Sequence, residues 1–553
     1  MPRHEKWSIW FGIAAIAALA ILYAAIPSYR YFWDTLIDCH YLEGKFDVAK
    51  LMHPLHPLFP LTGYYLFRAL EPDITGRSIY MLKSVSMIFS LIGLIAFYAI
   101  LKRATATHFL SAVATLTLGL TVAWWQHSIS GNTLIIAMTF ILLSLLFYLP
   151  GSEGRIGKIP MALHRLFFTI AVLFSRICFL FLIPFVIVDY IRRYGASGSH
   201  SKALTRTVAY TLITLLCAAI PFLLIPALSL GIRTPADFVA WSNDFPGALP
   251  HLTGGTGDRF RGLLTTGLGD IIALPGIVNV AFKAYQGAPP NLRSTPYFIA
   301  FIVLAISFLA SIVYTSTRWN ELNLTQRIFA LFNISAVIIV GGYIIVRQPY
   351  AITIYALPSF ASIFALWAFS VTRGKPKPYA WLWLLLPAMI LTNNWFVKFS
   401  RDRFPSTNPY IYEASSVPHI IGEGDLLIDS GVNEGLFRHA YLLYFSGIDS
   451  RNLFQIPGVL DKNFEEFSIE MTQHLNSGHK IFIHEDALQN EDSMRFLING
   501  IGADYTPEEL LDFISNVIEP RYYFVINAKK YYAFELKSGG LQPPEIPMLP
   551  VIP

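Results

Sequence analysis

The sequence is poor in cysteine and in charge, and both shortages narrow the classes of protein it can encode. Only three cysteines occur among the 553 residues. Cys178 and Cys217 lie inside apolar stretches and Cys39 stands alone in a loop, so neither a disulfide framework nor a CxxC metal site is available. Charged residues make up 14% of the chain and hydrophobic residues 54%, which is too apolar for a soluble protein of this length. The composition therefore predicts a multi-pass membrane protein.

Long apolar runs support this prediction. A run of about 18 or more apolar residues can cross roughly 30 Å of hydrocarbon as a helix. Such runs fall near 9–26, 79–101, 108–125, 133–149, 166–190, 206–229, 297–314, 328–346, 350–370 and 379–396. The first run follows the basic sequence MPRHEK, but its length and the lack of a small-residue cleavage pattern predict a retained helix and not a signal peptide. We therefore predict a polytopic α-helical membrane protein with about 10–11 membrane segments.

Basic residues between the runs predict which loops face the cytoplasm. The net charge is +5, and much of the basic excess lies in short loops, which is an orientation pattern and not a nucleic-acid footprint. All basic loops can face the cytoplasm only if 166–190 forms a broken hairpin of two short helices. Ser175 and Arg176 would form its tip, and Pro184 would interrupt the return helix. The first loop, the longest loop and the C-terminal region would then share the extracytoplasmic face.

Beyond residue 400 the pattern changes from long apolar runs to short alternating elements. GDLLIDSG at 424–431 and HKIFIHEDAL at 479–488 each predict a buried strand, and amphipathic helical patterns separate them. RYYFVIN and KYYAFELK predict an antiparallel hairpin around Asn527-Ala528-Lys529. The elements together predict an α/β arrangement.

Two domains follow from this change of pattern. We predict a transmembrane domain at 1–399, with outer loops 27–78 and 230–296, and a soluble extracytoplasmic α/β domain at 400–553. The second contains no G-x-G-x-x-G, P-loop, G-x-S-x-G or H-E-x-x-H motif. We therefore expect it to cover the membrane domain or bind an acceptor instead of carrying a catalytic site of its own.

The loop between the first two apolar runs, residues 31–68, is acidic and rich in His and Pro. Asp34 follows the first helix closely, and an aromatic group before it would anchor the loop at the lipid headgroups. Asp38, at i+4, would share its helical face, and neighbouring carboxylates can raise one another's pKa, which suits acid–base chemistry. Glu43 and Asp47 are more simply interpreted as ordinary solvated charges than as catalytic residues.

Histidines and prolines occupy the second half of this loop. MHPLHPLFPL places His53 and His56 among prolines that would stiffen the chain. The stiffness suits the rim of an active site, but a loop that returns into the membrane also needs proline for structural reasons. His53 is the better functional candidate of the two.

Arg176 lies inside an apolar run, where a lone arginine costs about 2.5–3.5 kcal/mol on insertion scales. It could reach a membrane boundary or bond helix-end carbonyl oxygens. It could instead bind a phosphate at the floor of a water-filled cavity, because a guanidinium offers bidentate donors to an anionic headgroup. We favour the phosphate ligand.

Together these motifs resemble the GT-C superfamily of polyprenyl-phosphate-dependent glycosyltransferases, in particular its protein O-mannosyltransferase-like and aminoarabinose-transferase-like members. The family pattern of an Asp after the first helix and a later His-Pro run is matched by Asp34 and by His53-Pro54, although the prolines here are spaced out. Lys83-Ser84, WWQHSISGN at 124–132 and RQPYAITIYALP at 347–358 resemble further family segments. Asn132 stands where the family usually has an acidic residue.

The resemblance implies transfer of a sugar from a polyprenyl phosphate to an acceptor hydroxyl at the outer membrane face, typically with inversion. It implies Asp34 as general base, with Asp38 and His53 as further catalytic candidates. Lys83, Arg176 and Arg347 would bind the donor phosphate, although Lys83 and Arg347 could equally reach the membrane interface for structural reasons. Possible acceptor or sugar contacts are His56, His127 and Tyr355.

The implied partners are membrane lipid, the polyprenyl-phosphate sugar and a protein, lipid or glycan acceptor, with no nucleic acid. No cofactor is implied beyond this donor, and a divalent metal is not expected. The active site would face outward from a plasma or inner membrane, or lie in the endoplasmic reticulum lumen in a eukaryote.

Three other classes stay open. A lipid-linked glycan ligase or polymerase would use a long outer loop such as 230–296, which carries His251, Asp258, Arg259 and Arg261. A transporter would have inverted repeats and broken helices in both halves, whereas this sequence indicates one broken element. A non-catalytic scaffold would tolerate Asp34→Asn.

Overall fold

The computed structural model of the chain describes residues 3–44, 52, 54–70, 77–105, 107–149, 156–243, 306, 313, 316–347, 354–372, 380–422, 424–429, 434–452, 455–459, 463–489, 506–526 and 528–536. These residues fall into two units. The first is drawn from Met1–Ser28, Phe46–Phe245 and Gly254–Arg403, and the second from Tyr29–Lys45 and Phe404–Pro553. The second unit thus joins the segment after the first helix to the C-terminal region.

Helices dominate the described residues. In chain order they are α1 Arg3–Ala25, α2 Trp33–Glu43, α3 Leu58–Leu70, α4 Ser78–Thr105, α5 His108–Leu120, α6 Val122–Ile129, α7 Thr133–Tyr148, α8 Lys158–Phe174, α9 Leu182–Ser197, α10 His200–Leu230, α11 Pro235–Asn243, α12 Leu324–Arg347, α13 Leu357–Thr372, α14 Leu385–Asn394, α15 Pro409–Ser416, α16 Glu434–Ser446, α17 Phe464–Asn476, α18 Glu485–Gln489 and α19 Pro507–Ser515. Shorter helical turns include Arg176–Phe181, Trp319–Glu321, Ala380–Leu384, Trp395–Phe399, Ser400–Asp402, Pro405–Thr407 and Val417–His419.

Several helices of the described chain meet the requirements of a membrane span. Those long and apolar enough are Ser78–Thr105, His200–Leu230 and Leu324–Ile344, and the bent pair α5 and α6 adds another if it forms one span. Shorter apolar helices lie at Ile9–Ala25, Thr133–Tyr148 and Leu357–Val371. The predicted run 297–314 lies almost entirely outside the described residues. The predicted polytopic helical fold class is confirmed.

Small residues let helices of the first unit approach closely. A Cβ atom added to Gly93 in α4 would lie 2.6 Å from Thr139 Oγ1 in α7, so a larger residue would force a shift. Thr139 Oγ1 donates to the carbonyl oxygen of Phe89 at 2.8 Å, and Trp124 Nε1 donates to Ser90 Oγ at 2.9 Å. Close backbone approach and interhelical hydrogen bonds are what hold helices together where no water is present.

A break at Thr121 divides the predicted run 108–125 into α5 and α6, which are bent by 67°. Thr121 has extended backbone angles. The carbonyl oxygen of Leu120, at the break, accepts a hydrogen bond from Asn394 Nδ2 at 2.8 Å. The prediction of one continuous helix, with a single broken element elsewhere, is therefore wrong, because a distant amide satisfies the backbone at a second break.

The run predicted at 166–190 contains two helices, as expected. α8 ends before Ser175, whose backbone is extended, and a 3-10 turn leads into α9. The His164 ring in α8 lies 4.7 Å from the Phe185 ring in α9, and Phe168 lies 6.0 Å from the same ring. Residues at similar distances before and after the tip are thus neighbours, which is the geometry of a hairpin.

Pro184 does not interrupt the return helix, so that part of the prediction is wrong. It lies in the first turn of α9, which begins at Leu182. The first turn of a helix has backbone N–H groups without intrahelical partners, so proline costs nothing there.

The second unit contains a five-stranded mixed sheet within the described residues. Its strands are β1 Leu426–Asp429, β2 Ser450–Asn452, β3 Ile481–His484, β4 Ile518–Ile526 and β5 Lys529–Leu536. Their order is β2-β1-β3-β5-β4, with β1 parallel to β2 and β3, and β5 antiparallel to β3 and β4. Both β1 and β3 are buried throughout, as expected of central parallel strands.

The hydrophobic core of this unit lies between the sheet and two helices. Ile428 and Ile483 from the sheet pack with Phe467 of α17 and Leu510 of α19. The predicted hairpin is formed by β4 and β5, and Ala528 in its turn has a positive φ of 60°. The α/β prediction is therefore confirmed for this region.

Candidate active site

The predicted acidic residues lie on α2, in the second unit. Asp34 is in the first turn of the helix and half-buried, and its Oδ1 accepts from the backbone N of Thr35 at 2.8 Å. A carboxylate in the first turn is stabilised by the helix dipole. Asp38 follows one turn later and is 7% exposed. The helix therefore gives the two acids different access to solvent, and Asp34 is the more accessible one.

The buried stripe of α2 explains this difference. Leu36, Cys39 and Leu42 are all fully buried. Cys39 and Leu42 belong to one buried side of the helix, which also includes Thr35 and Asp38 at the i, i+3, i+4 and i+7 spacing. Leu36 and Asp34 lie on opposite flanks of that side. Leu36, Cys39 and Leu42 thus fix the helix in the unit, and Asp34 stays half-buried.

Two segments of the first unit converge on the hairpin tip. The backbone N of Arg176 donates to the carbonyl oxygen of Leu55 at 2.8 Å. Its guanidinium Nη1 donates to Ser242 Oγ at 3.0 Å, and Trp241 Nε1 donates to the carbonyl oxygen of Met52 at 3.2 Å. The tip, the second half of the first loop and helix α11 therefore form one hydrogen-bonded group around Arg176.

Arg176 has no carboxylate partner among the described residues, although it is half-buried. The contacts described above supply one neutral hydroxyl to a guanidinium that can donate several hydrogen bonds. Partial burial of a cation costs free energy, and an anion that binds it would offset that cost. The arrangement therefore suits a site that accepts an anionic group.

Of the two candidate histidines in the first loop, His56 is described by the structure. His56 is 6% exposed, and its ring lies 6.1 Å from that of Phe59 in an edge-to-face contact. His53 lies outside the described residues. The loop around His56 nevertheless meets the hairpin tip through Leu55.

Lys83 lies in the second turn of α4. Its Nζ donates to the carbonyl oxygen of Ser28 at 2.9 Å, and the same atom lies 5.9 Å from the centre of the Tyr80 ring. The residue thus joins the start of α4 to the segment that follows α1. Arg347 is the last residue of α12, and its side chain is outside the described part of the structure.

Two predicted contact residues are buried near breaks in the helices. Tyr355 is fully buried, and its ring lies 6.0 Å from that of Phe181 at the end of the hairpin turn. His127 is 4% exposed in α6. Asn132, where an acid was expected, caps α7, because its Oδ1 accepts from the backbone N of Leu134 at 2.8 Å.

Helix α11 and its contact residues Trp241 and Ser242 were not predicted. The sequence contained a usable signal, since Thr234-Pro235-Ala236-Asp237 is a helix-start pattern. The structure forms that cap: Asp237 N donates to Thr234 Oγ1 at 3.1 Å, and Thr234 N donates to Asp237 Oδ2 at 3.2 Å.

No three His, Cys, Asp or Glu side chains converge as metal ligands would, within the part of the chain that the structure describes. That the reaction needs no divalent metal stays a prediction.

Solved structures with the same arrangement exist. The chain is similar to ArnT from Cupriavidus metallidurans bound to undecaprenyl phosphate, with a TM-score of 0.51 and 11% identity over 96% of this chain and 98% of that one. The chain has the GT-C fold. No protein-family model matches its sequence, and no curated protein matches it significantly.

Archaeal enzymes with the GT-C fold are similar to the same extent. The Archaeoglobus fulgidus oligosaccharyltransferase in complex with Zn and sulfate has a TM-score of 0.51 and 11% identity over 94% of this chain and 72% of that one. AglB from Archaeoglobus fulgidus, in complex with an inhibitory peptide and a dolichol-phosphate, has a TM-score of 0.51 and 11% identity over 96% of this chain and 74% of that one. The predicted GT-C resemblance is thereby confirmed at the level of fold, and with it an integral membrane protein.

Proposed function

We propose that this chain is a glycosyltransferase that moves a sugar from a polyprenyl phosphate to an acceptor hydroxyl at the extracytoplasmic membrane face. The observation that carries the proposal is the GT-C fold over nearly the whole chain, shared with a protein bound to undecaprenyl phosphate and another bound to dolichol-phosphate. A half-buried carboxylate on its own short helix after the first membrane helix, Asp34, supplies the group that such a transfer needs.

The proposed reaction is a single displacement. The acceptor oxygen forms a bond to the anomeric carbon while the bond from that carbon to the phosphate oxygen breaks, which inverts the anomeric configuration. The electron pair of the broken bond leaves with the polyprenyl phosphate. Asp34 takes the proton of the acceptor hydroxyl and later releases it to water. Asp38 and His53 are secondary candidates for a role in this proton transfer.

Cationic side chains would stabilise the leaving phosphate. Arg176 is the best supported, because it is half-buried and lacks an acid partner among the described residues. Lys83 and Arg347 are proposed as further phosphate ligands. Positioned cations lower the barrier by neutralising charge that develops on the leaving group. His56, His127 and Tyr355 are proposed as sugar or acceptor contacts.

The base assignment is tested by Asp34→Asn in the purified full chain, reconstituted in liposomes. Donors are undecaprenyl-phosphate mannose and undecaprenyl-phosphate aminoarabinose, and the readout is released undecaprenyl phosphate. We expect the rate to fall by at least about 100-fold, since general acid–base catalysis contributes roughly that much. Glu465→Gln is the matched control, because it removes a first-turn carboxylate of α17 and should leave the rate unchanged. Full activity of Asp34→Asn would overturn the base assignment.

The donor assignment is tested separately by binding. Arg176→Gln should weaken binding of undecaprenyl phosphate by about 10-fold, because one charged contact to the phosphate is lost. Arg318→Gln, at an exposed pair with Glu321, is the control and should bind normally. Failure of the wild-type chain to bind undecaprenyl phosphate would contradict this donor class.

The location of the second unit is tested by labelling intact cells. Ser477→Cys introduces an exposed thiol after α17, in a chain whose exposed Cys217 has been replaced by serine. A membrane-impermeant maleimide should label it without permeabilisation. Labelling only after permeabilisation would contradict the extracytoplasmic placement.

Other functions remain as alternatives with their own tests. A lipid-linked glycan ligase or polymerase would use oligosaccharide donors, and the proposed loop residues His251, Asp258, Arg259 and Arg261 lie outside the described residues. A transporter would move substrate across liposomes without releasing undecaprenyl phosphate. Activity that is lost with a chelator and restored by a divalent cation would contradict the metal-free scheme.

A further inference from the structure

The segment that carries Asp34 is bound by side chains from the C-terminal region of the same unit. Residues 29–32 form no regular structure, and the N-cap residue of α2, Phe32, makes no side-chain cap. The backbone of this segment binds side chains about four hundred positions later in the chain, through the N–H of Tyr31 and the carbonyl oxygen of Tyr29.

Tyr441 of α16 is the centre of this contact. Its hydroxyl oxygen accepts from the backbone N of Tyr31 at 2.7 Å and from Asn408 Nδ2 at 2.9 Å. The same hydroxyl lies 3.4 Å from the carbonyl oxygens of Tyr29 and Tyr31, to either of which it can donate. Burial raises the pKa of Tyr441 to about 12, so the hydroxyl keeps its proton at neutral pH. One phenol therefore fixes both a donor and an acceptor of the segment before Asp34.

Asn408 holds the same segment from a second direction. Its Nδ2 donates to the carbonyl oxygen of Tyr29 at 2.8 Å. Its Oδ1 caps α15 by accepting from the backbone N of Tyr410 at 3.0 Å. Because both ends of this 6% exposed amide are used, its orientation is determined.

Packing and a second tyrosine extend the contact along α2. The Tyr31 ring lies 6.0 Å from the rings of both Tyr441 and Phe445. Tyr444, on the next part of α16, donates from its hydroxyl to Glu43 Oε1 at 2.6 Å. Helix α16 thus contacts the last residue of α2 and the segment immediately before its first turn.

We infer that Tyr441 and Asn408 are positioning residues for Asp34. The inference rests on the proposed function, in which Asp34 takes a proton from the acceptor. Asp34 lies three positions after Tyr31, whose N–H is bound by Tyr441, so movement of that backbone moves the carboxylate. An error of about 1 Å in a reacting group can cost about 100-fold in rate. The C-terminal region thus acts on catalysis through the backbone of the first loop, without touching the substrate.

The test uses Tyr441→Phe in the full chain, which removes the hydroxyl and keeps the ring. We expect kcat for release of undecaprenyl phosphate to fall by about 10-fold to 100-fold, while binding of undecaprenyl phosphate stays at the wild-type value. Asn408→Asp, which keeps the cap of α15 but loses the amide donor, should lower kcat in the same direction. Tyr412→Phe is the matched control, because it removes an exposed phenol from α15 and should leave kcat unchanged.

Hydrogen exchange gives a readout that does not depend on turnover. Amides of residues 29–36 should exchange faster in Tyr441→Phe, whereas those of β3 should not change, which separates local loosening from loss of fold. Unchanged exchange at 29–36, or faster exchange with a wild-type kcat, would overturn the positioning role while Asp34→Asn stays inactive. A fully active Asp34→Asn would instead overturn the proposed base and the positioning role together.

Discussion

Buried ion clusters occur in both units, and they are built in opposite ways. In the helical unit a carboxylate is at the centre. Asp189 is fully buried, and its Oδ1 accepts from Arg192 Nη2 at 2.6 Å and from the Tyr148 hydroxyl at 3.1 Å. Its Oδ2 accepts from Arg193 Nε and from Thr207 Oγ1.

In the α/β unit a guanidinium is at the centre. Arg438 Nε donates to Glu413 at 2.8 Å, Nη1 to Asp429 at 2.7 Å and Nη2 to Asp486 at 2.9 Å. Burial alone would lower the pKa of Arg438, but Asp429 and Glu413 raise it overall. His484 also faces this group, 3.1 Å from Nη1.

The difference lies in how far the partners are separated along the chain. Arg192 and Arg193 follow Asp189 by one turn of the same helix, so much of the first cluster is local. The three acids around Arg438 come from a helix and from the residues that end or follow two strands, so the second cluster requires the complete fold. The side chains of Arg192 and Arg193 are 10% and 25% exposed, against 1% for Arg438. Substitution of Arg438 should therefore lower stability more than substitution of Asp189.

The largest effect is expected from Arg438→Met. The variant leaves Glu413 and Asp429 buried without their cation, which should lower the free energy of unfolding of this unit by about 3–5 kcal/mol. Thermal melting and limited proteolysis of the full chain in detergent measure the loss. Arg451→Met, at an exposed pair with Glu470, is the control. A melting temperature equal to that of the wild type would contradict the stabilising role of Arg438.

Acid should destabilise the same unit through His484. Its Nδ1 accepts hydrogen bonds from Arg438 and from the backbone N of Asp486, so the neutral ring is the bound form. Burial lowers the pKa of His484 to about 4, an effect that Asp429 and Asp486 oppose and that Arg438 and Lys529 reinforce. The unfolded histidine binds its proton near pH 6.5. The contribution of His484 to the free energy of unfolding is therefore fully present above about pH 6.5. It falls by about 3 kcal/mol as the pH decreases to 4.

Melting between pH 7 and pH 4 measures this dependence, and His484→Gln is the matching variant. The slope of stability against pH should be shallower in the variant, whatever its absolute stability. Asp486 has a lowered pKa, because His484, Lys529 and Arg438 outweigh the opposing effect of burial, so its contribution is lost only at still lower pH. Equal slopes in the two proteins would contradict the assignment to His484.

The sequence predicted those elements whose causes are local. Long apolar runs located the long apolar helices of the first unit but not α11, and short apolar runs located β1 and β3. The β4–β5 hairpin was also predicted. The three-residue strand β2 was missed, because Ser450–Asn452 has no strand-like pattern and forms only by pairing with β1. The bend at Thr121 was missed for a similar reason, since Asn394 lies far along the chain from the carbonyl oxygen it satisfies.

In the candidate site, too, only the local features were predictable from the sequence. Asp34 and Asp38 were expected to share a helical face, and the structure places both on the helix Trp33–Glu43. The contact of Arg176 with Ser242, and that of Tyr441 with Tyr31, join residues 66 and 410 positions apart. No local pattern encodes such pairs, so the residues that support the site emerge only from the fold.

A smaller loss is expected from Asp189→Asn in the helical unit. Asparagine keeps an acceptor oxygen for the Tyr148 or Thr207 hydroxyl, and Arg193, whose side chain is 25% exposed, can turn towards solvent. We expect the free energy of unfolding to fall by about 1.5–3 kcal/mol, the range for hydrogen bonds to a charged group. Thermal unfolding in detergent measures it, with Glu321→Gln at an exposed pair as the control. A loss as large as that of Arg438→Met would remove the distinction between local and distant partners.

The smallest effect is expected at an exposed pair with equally short contacts. Arg521 Nη1 lies 2.7 Å from Glu535 Oε2 across β4 and β5, which matches the distance between Arg438 and Asp429. The side chains of Arg521 and Glu535 are 65% and 43% exposed, so water screens their attraction. Arg521→Ala should therefore change the free energy of unfolding by less than about 0.5 kcal/mol. Melting at low and high salt measures this, and any difference from the wild type should shrink at high salt. A loss above about 1 kcal/mol would mean that short contact distance alone determines stability, whereas the small loss expected would assign the strength of the Arg438 cluster to its burial.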